Sequence, residues 1–410
     1  MEPLKKEEEE QKGKEGKEEK KEIVMEIESN WTQQIEKFDE LDLKKELLRG
    51  IYGYGFEKPS PIQQKAILPL LKGKDTIAQA QSGTGKTGAF AIGILQMIDP
   101  EIDKCQSLIV CPTRELAEQI TNVIENLGYF LKIKIRSFVG GTQVRHDVQT
   151  LKEGVQVVVA TPGRITDLMK KEFLKLDALK LFILDEADEM LSRGFKSQIQ
   201  EIFKFLPGDV QVGLFSATMP PEILEITKQF LRDPAKILVK KEELTLEGIR
   251  QYYIPIPEEK YKIDILIELY KNLEITQAIF YCNSRKRVEF VTAEMKKRDF
   301  TVASIHGEMK QEERNLIMKS FRTGQSRVLI STDLLARGID VQQVGIVINF
   351  ELPFSKESYL HRIGRSGRFG RKGVAINFVV PKEFSFLKEI QEFYATSINE
   401  IPQDLSQLFV

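Results

Sequence analysis

Two neighbouring carboxylates, Asp185 and Glu186, follow directly on the apolar run Leu181, Phe182, Ile183, Leu184. A run without alternation is how a strand buried on both faces of a parallel sheet reads. Open α/β sheets bind their ligands outside the carboxyl ends of such strands. Two acids at that edge cost free energy unless a cation compensates them, and the cation that suits them is magnesium carrying a nucleotide. A phosphate cradle stands about a hundred residues upstream in AQAQSGTGKT, residues 78–87. There Gly83 and Gly85 let backbone N–H groups turn toward phosphate oxygens, Lys86 reaches the β and γ phosphates, and the Thr87 hydroxyl completes the metal's coordination. Ala80 stands where the general pattern has Gly, so the strict match is incomplete.

A second cluster that could act on phosphate lies far downstream in HRIGRSGRFGR, residues 361–371. Arg362, Arg365, Arg368 and Arg371 alternate with three glycines, which makes a poor helix interior and a good phosphate-facing loop. A guanidinium brought to a γ-phosphate from a second domain accelerates hydrolysis. Asp340, in the segment ARGID, can accept a hydrogen bond from a ribose hydroxyl, whereas Asp333 and Arg337 fit structural roles equally well. Gln63, ahead of the phosphate loop, can donate and accept at once, the pair of functions that tells adenine from guanine. His361 lacks a second His or Cys nearby and fits coupling between domains better than metal binding.

These groups need a scaffold. A strand near Thr76–Ala78 and a helix from about Thr87 to Met97 should flank the phosphate loop. Other apolar runs end in polar clusters: SLIVC in PTRE (112–115), VQVVVA in TPGR (161–164), VGLFS in SAT (216–218). Strands of this kind separated by helical stretches make a doubly wound parallel sheet with the clusters on one edge. QAIFYC, TVASIHG, RVLISTD, GIVINF and VAINFVV repeat the design after residue 249 without a second phosphate loop, so one nucleotide is expected.

The 410 residues suit two domains, and 41% hydrophobic with 30% charged residues is ordinary for a soluble globular chain. Residues 1–35 read as a disordered Lys/Glu-rich tail, 36–238 as the nucleotide-binding domain, 239–248 as a linker and 249–410 as the second domain. The net charge of −1 gives no global field for a polyanion; setting aside residues 1–28, with 7 Lys and 11 Glu, leaves 53 basic against 50 acidic groups. Any nucleic acid must be held by a local basic patch. Cys105, Cys111 and Cys282 are too few and scattered for a disulfide framework or a zinc site. No apolar run approaches the roughly 20 residues that span a bilayer, and no signal-peptide core is present.

Taken in order, GFEKPSPIQ, AQSGTGKT, PTRELA, the Gly140–Gly141 pair, TPGR, DEAD, SAT, ARGID and HRIGRSGR make the chain resemble the DEAD-box ATP-dependent RNA helicases from about Phe38 to its end. Stretches such as DEADEMLSRGF and DLLARGIDVQQV are similar to the translation initiation factor 4A group, which includes a nuclear exon-junction member. The resemblance implies an α/β fold of two tandem RecA-like doubly wound parallel-sheet domains joined by a short linker, with ATP and Mg2+ as cofactors. It places adenine against Phe56, Lys58 and Gln63, and the triphosphate against Ser82, Gly83, Thr84, Gly85, Lys86 and Thr87. It gives the metal to Thr87 and Asp185, partly through water, and the attacking water to Glu186. Asp340, Arg365 and Arg368 would close the site from the second domain, the arginines as catalytic groups with Lys86, Asp185 and Glu186.

On the same basis, Asp188, Ser216, Thr218 and His361 would link hydrolysis to the RNA side. Single-stranded RNA or a short duplex would run past Pro112, Arg114, Gly141, Thr161, Arg164, Asn283, Arg314 and Thr332, held by its backbone with little base specificity. The resemblance further implies a monomer in the cytoplasm, alternatively the nucleus, working with scaffold proteins like initiation factor 4G and with no membrane. Two uses fit one set of residues: an RNA-stimulated ATPase that unwinds short duplexes in translation initiation, or an ATP-locked RNA clamp of the exon-junction type. A DNA translocase is disfavoured by the DEAD form and the glutamine motif.

Overall fold

The computed structural model describes residues 29–192, 194–238, 248–273, 277–335, 344–366 and 373–409. In the first lobe, strands β1 (Thr76–Gln79), β2 (Ser107–Val110), β3 (Ile135–Phe138), β4 (Val157–Ala160), β5 (Leu181–Asp185), β6 (Gln211–Ser216) and β7 (Ala235–Ile237) form one sheet. Their order is β3-β4-β2-β5-β6-β1-β7, with every pairing parallel. The second lobe holds β8 (Ile249–Pro255), β9 (Ala278–Tyr281), β10 (Ala303–Ile305), β11 (Val328–Ser331), β12 (Ile346–Asn349), β13 (Gly373–Val379) and β14 (Asn399–Glu400). Their order, β10-β11-β9-β12-β13-β8-β14, repeats the first sheet strand for strand. The two lobes are therefore tandem copies of one parallel-sheet design.

The central strands are buried on both faces because helices cover both. Along β5 the side chains alternate between two cores: Ile183 packs with Ile109 and the helix Lys86–Met97, Phe182 and Leu184 with Ile165, Leu168 and Ile199 on the other face. A one-residue slip would exchange the two sets and carry Asp185 off the strand's end, so core packing fixes where the carboxylates stand. The helix Lys86–Met97 is apolar nearly all round, with Phe90, Ile92, Ile94 and Leu95 buried. Its start is thereby pinned against the sheet, beside the end of β1.

Two expectations shift. The composition predicts a disordered tail to residue 35, but Ile35 is 4% exposed in the first core, and the Asn30 N–H donates to the Lys236 carbonyl of β7 at 3.1 Å. The glycines of HRIGRSGRFGR predict a phosphate-facing loop, yet its first three residues complete the helix Lys356–Ile363, which Ser355 caps through a bond from Ser358 N at 3.1 Å. Residues 1–28, the linker 239–247, and Arg337, Asp340, Arg368 and Arg371 lie outside the described residues. Among the described residues no helix is long and apolar enough to cross a membrane.

Candidate active site

The phosphate loop leaves β1 and enters its helix through Gly85, whose φ of 104° an L side chain rarely adopts. A Cβ there would also meet Gln63 Nε2 at 2.7 Å and Ser60 Oγ at 2.8 Å. Gln63 comes that close because Ser60-Pro61-Ile62-Gln63 is a capping box with Pro at the first turn. Ser60 N donates to Gln63 Oε1 at 2.9 Å, and Gln63 Nε2 donates to the Gly85 carbonyl at 3.2 Å. Phe56 lies half-buried nearby, stacked on Phe38 at 6.5 Å, and Lys58 is exposed. Lys86 is 7% exposed and donates to the carbonyls of Ala80 (2.6 Å) and Gln81 (3.1 Å). Burial lowers its pKa, and the neighbouring Glu186 and Asp185 oppose that shift.

Facing the loop, Asp185 closes β5 and is 3% exposed. Burial, then the adjacent Glu186, push its pKa up to about 7, against the pull of Lys86 and of its bond from Glu186 N. Glu186 sits in the left-handed region at φ 51°, a conformation that costs a non-glycine residue roughly 1–2 kcal/mol. The turn sets two acids near enough to the buried Lys86 ammonium to oppose the lowering of its pKa.

The second lobe completes the site. His361, 1% exposed, shares its Nε2 with Asp188 Oδ2 at 2.8 Å, and its Nδ1 stands 3.9 Å from Glu186 Oε2. Asp188 Oδ2 also accepts the Thr218 hydroxyl, and Asp188 N donates to Ser216 Oγ at 3.4 Å. Arg365, 3% exposed, donates through Nη2 to Ser82 Oγ of the phosphate loop. The Lys86 helix begins without a side-chain cap, leaving first-turn N–H groups for an anion. Glu186 Oε2 and His361 Nδ1 are buried with no hydrogen-bond partner among the described residues. An uncapped helix start, a buried ammonium and an acid whose proton is held by burial fit a triphosphate with a divalent cation.

On the other flank, Pro112, Arg114, Gly140, Thr161, Arg164, Arg314 and Leu334 line a groove of about 490 Å³ between the lobes. Gly141, at φ 90°, admits Arg114, since a Cβ would meet its Nη1 at 2.6 Å. Arg114 donates to Gln311 Oε1 of the second lobe at 3.1 Å. Burial lowers its pKa, as do the nearby Arg314 and Arg164, so guanidinium groups are crowded where a polyanion would relieve them. Two of the three already have carboxylate partners. Arg164 pairs with Asp147 and holds the Thr142 carbonyl at 2.8 Å, while Arg314 reaches across the lobes to Glu115 Oε2 at 2.5 Å with both side chains almost wholly buried. Asn283 and Thr332, both half-buried, follow the ends of β9 and β11 on the same edge.

The family model described as DEAD/DEAH box helicase matches residues 60–226, and the helicase conserved C-terminal domain matches 261–370. A relative from Neurospora crassa, named ATP-dependent RNA helicase eIF4A, is 57% identical over 382 residues, 93% of this chain and 96% of its own length. The chain belongs to the DEAD-box ATP-dependent RNA helicases. Among solved structures, S. cerevisiae Dbp5 bound to RNA and ADP BeF3 is 37% identical with a TM-score of 0.83, covering 89% of this chain and 95% of Dbp5. Mss116p bound to ssRNA and AMP-PNP is 28% identical with a TM-score of 0.82, covering 92% and 82%.

In this DEAD-box helicase the structure brings together Gln63, Ser82, Lys86, Asp185, Glu186, Asp188, Ser216, Thr218, His361 and Arg365. One residue of the Arg-rich motif is redirected: Arg362 is not phosphate-facing but 0% exposed, bound to Asp333 through Nε (2.5 Å) and Nη2 (3.0 Å). Ser60, Glu115 and Asp147 were missed by sequence reasoning. The S-x-x-Q spacing before an apolar run could have revealed Ser60; Glu115 and Asp147 take their roles from partners remote in sequence, which leaves no local signal.

Proposed function

We propose that this chain hydrolyses ATP to ADP and phosphate in response to RNA and uses the cycle to loosen short RNA duplexes during translation initiation. The observation that carries this reading is the shared site: the phosphate loop and the Asp185–Asp188 turn of one lobe are touched by His361 and Arg365 of the other. Ser82 to Thr87 and the uncapped helix start hold the triphosphate, Phe56, Lys58 and Gln63 the adenine, and Asp340 the ribose. Thr87 and Asp185 hold Mg2+, partly through water. When bound, that ion supplies positive charge against the phosphates and the acids.

Glu186 orients the attacking water and takes its proton, and Lys86, Arg365 and Arg368 stabilise the charge that builds on the transferring phosphoryl group. Thr218 and His361 report that state to both lobes through Asp188. Across the groove, Pro112, Arg114, Gly141, Thr161, Arg164, Asn283, Arg314 and Thr332 contact phosphates and 2′-hydroxyls of one strand. Closing the lobes imposes a bend that a continuous duplex cannot accept, so the partner strand loosens. Base identity is left unread, so targets are chosen by scaffold proteins like initiation factor 4G, with work in the cytoplasm. The test is steady-state ATP turnover with single-stranded RNA, with DNA of the same sequence, and with neither. RNA alone should stimulate; equal stimulation by DNA, or none by RNA, overturns the proposal.

A further inference from the structure

Arg362 has no capacity left for a ligand. A guanidinium carries five N–H donors, and here Nε and Nη2 hold Asp333 while Nη2 also reaches Asn283 Oδ1 at 2.6 Å. Nη1 donates to the Glu351 carbonyl at 2.7 Å and Asn349 Oδ1 at 3.3 Å. Asn349 is the last residue of β12, and Asn283, Glu351 and Asp333 each stand two residues past the ends of β9, β12 and β11, so one side chain ties together three strand ends of the second lobe. Asn283 is fixed at three atoms: its N–H donates to Glu351 Oε2 (2.8 Å), its Nδ2 to the Leu352 carbonyl (2.8 Å), and its Oδ1 accepts Arg362. Thr332 is the residue before Asp333.

The end of the same helix carries the nucleotide contacts. His361 lies on its last turn, and Arg365, two residues past that end, is tied back by its Nε, which donates to the His361 carbonyl at 3.1 Å; the two reach Asp188 and Ser82 of the first lobe. Arg362 points away from them into the lobe, and Tyr359 anchors that inner side through its hydroxyl, which donates to Gln251 Oε1 (2.9 Å) and accepts from Asn377 Nδ2 (3.1 Å). Moving the helix while leaving Asn283 and Asp333 behind would strip buried charge-assisted bonds that are costly to leave unmade. The strand ends must travel with it.

We propose that Arg362 is the positioning residue through which the nucleotide site sets the RNA grip of the second lobe. A shift of His361 and Arg365 is carried by one helical turn to Asn283 and Thr332, and Arg362 itself touches neither phosphate nor RNA. This rests on the reading of Asn283 and Thr332 as RNA contacts. A merely structural Arg362 would change stability and leave the linkage between the two ligands intact.

The experiment uses the full chain and a labelled oligouridylate, with RNA affinity measured by fluorescence anisotropy with and without Mg·AMP-PNP. The quantity read is the factor by which nucleotide tightens RNA binding. In Arg362→Lys, which keeps the charge and loses the fork, that factor should fall about tenfold, the size of one charge-assisted hydrogen bond. AMP-PNP affinity without RNA should stay within about twofold of the parent, because Arg362 holds no phosphate. Asp333→Asn, whose side chain is 42% exposed and keeps one oxygen as acceptor, should lower the factor in the same direction. An undiminished factor in both variants overturns the proposal, as does an equal loss of AMP-PNP affinity without RNA. If Arg362→Lys does not fold, Asp333→Asn decides by the same two readings. Asn283→Ala separates the premise: it should weaken RNA with or without nucleotide, and if it does not, the RNA path itself is wrong.

Discussion

Loading the site with Mg2+ and a nucleotide should expel a proton from Asp185. Its carboxyl is 3% exposed beside Glu186, and burial with that neighbour holds its pKa at about 7 against an ordinary 3.8, with Lys86 too weak an opponent to reverse the shift. With its pKa pushed up to about 7, Asp185 without nucleotide is mostly protonated at pH 6 and mostly ionised at pH 8. A cation that requires the carboxylate must displace that proton. About 0.5 proton should be released per nucleotide at pH 7, and apparent affinity should rise about tenfold from pH 6 to pH 8, or about 1.4 kcal/mol. Stability of the free chain moves oppositely: a group whose pKa is raised on folding contributes fully below about pH 4, and that contribution is lost as pH rises through 7. Isothermal titration calorimetry with Mg·AMP-PNP in buffers of different ionisation enthalpy measures the release, with Asp185→Asn giving the nucleotide's own protons for subtraction. Release that is zero, or equal at pH 6 and pH 8 after subtraction, would refute the account of how burial and Glu186 control this acid.

Two further outcomes follow from the geometry. Glu186→Gln introduces no new backbone penalty at φ 51°, so nucleotide and RNA should still bind while turnover drops by about a hundredfold or more; loss of AMP-PNP binding in calorimetry would show instead that Glu186 is a ligand. Glu115→Gln leaves Arg314 buried across the lobes without its carboxylate, and breaking such a pair costs roughly 3–5 kcal/mol where it stays buried. RNA affinity in the presence of AMP-PNP should then weaken at least tenfold; tighter binding would mean that Glu115 competes with RNA for the guanidinium.

What could be read without coordinates follows from how each feature is encoded. Strands buried on both faces announce themselves as unbroken apolar runs, so β2, β4, β5, β6, β9, β11, β12 and β13 and the polar residues at their ends were legible. The edge strand β3, with Arg136 exposed between Ile135 and Phe138, and the short β7 carry too little apolar sequence to stand out. In β8, Arg250 and Gln251 interrupt the run. Within the site, residue types and order placed Lys86, Asp185, Glu186, His361 and Arg365 because phosphate and metal chemistry demands those groups. The fate of Arg362 was illegible: four arginines among glycines look alike until one is seen to face Asp333, which lies 29 residues away. The left-handed turn at Glu186 was equally hidden, since the surrounding fold imposes it on a residue that does not favour it.

The central claim is that one nucleotide draws the two lobes together around RNA. Spin labels at exposed positions Tyr129 and Phe354, one on each lobe, would report the distance between them by pulsed electron resonance. A single short distance with both Mg·AMP-PNP and oligouridylate, and a longer, broader distribution when either is absent, is the predicted result. The same distribution under all of these conditions would contradict it.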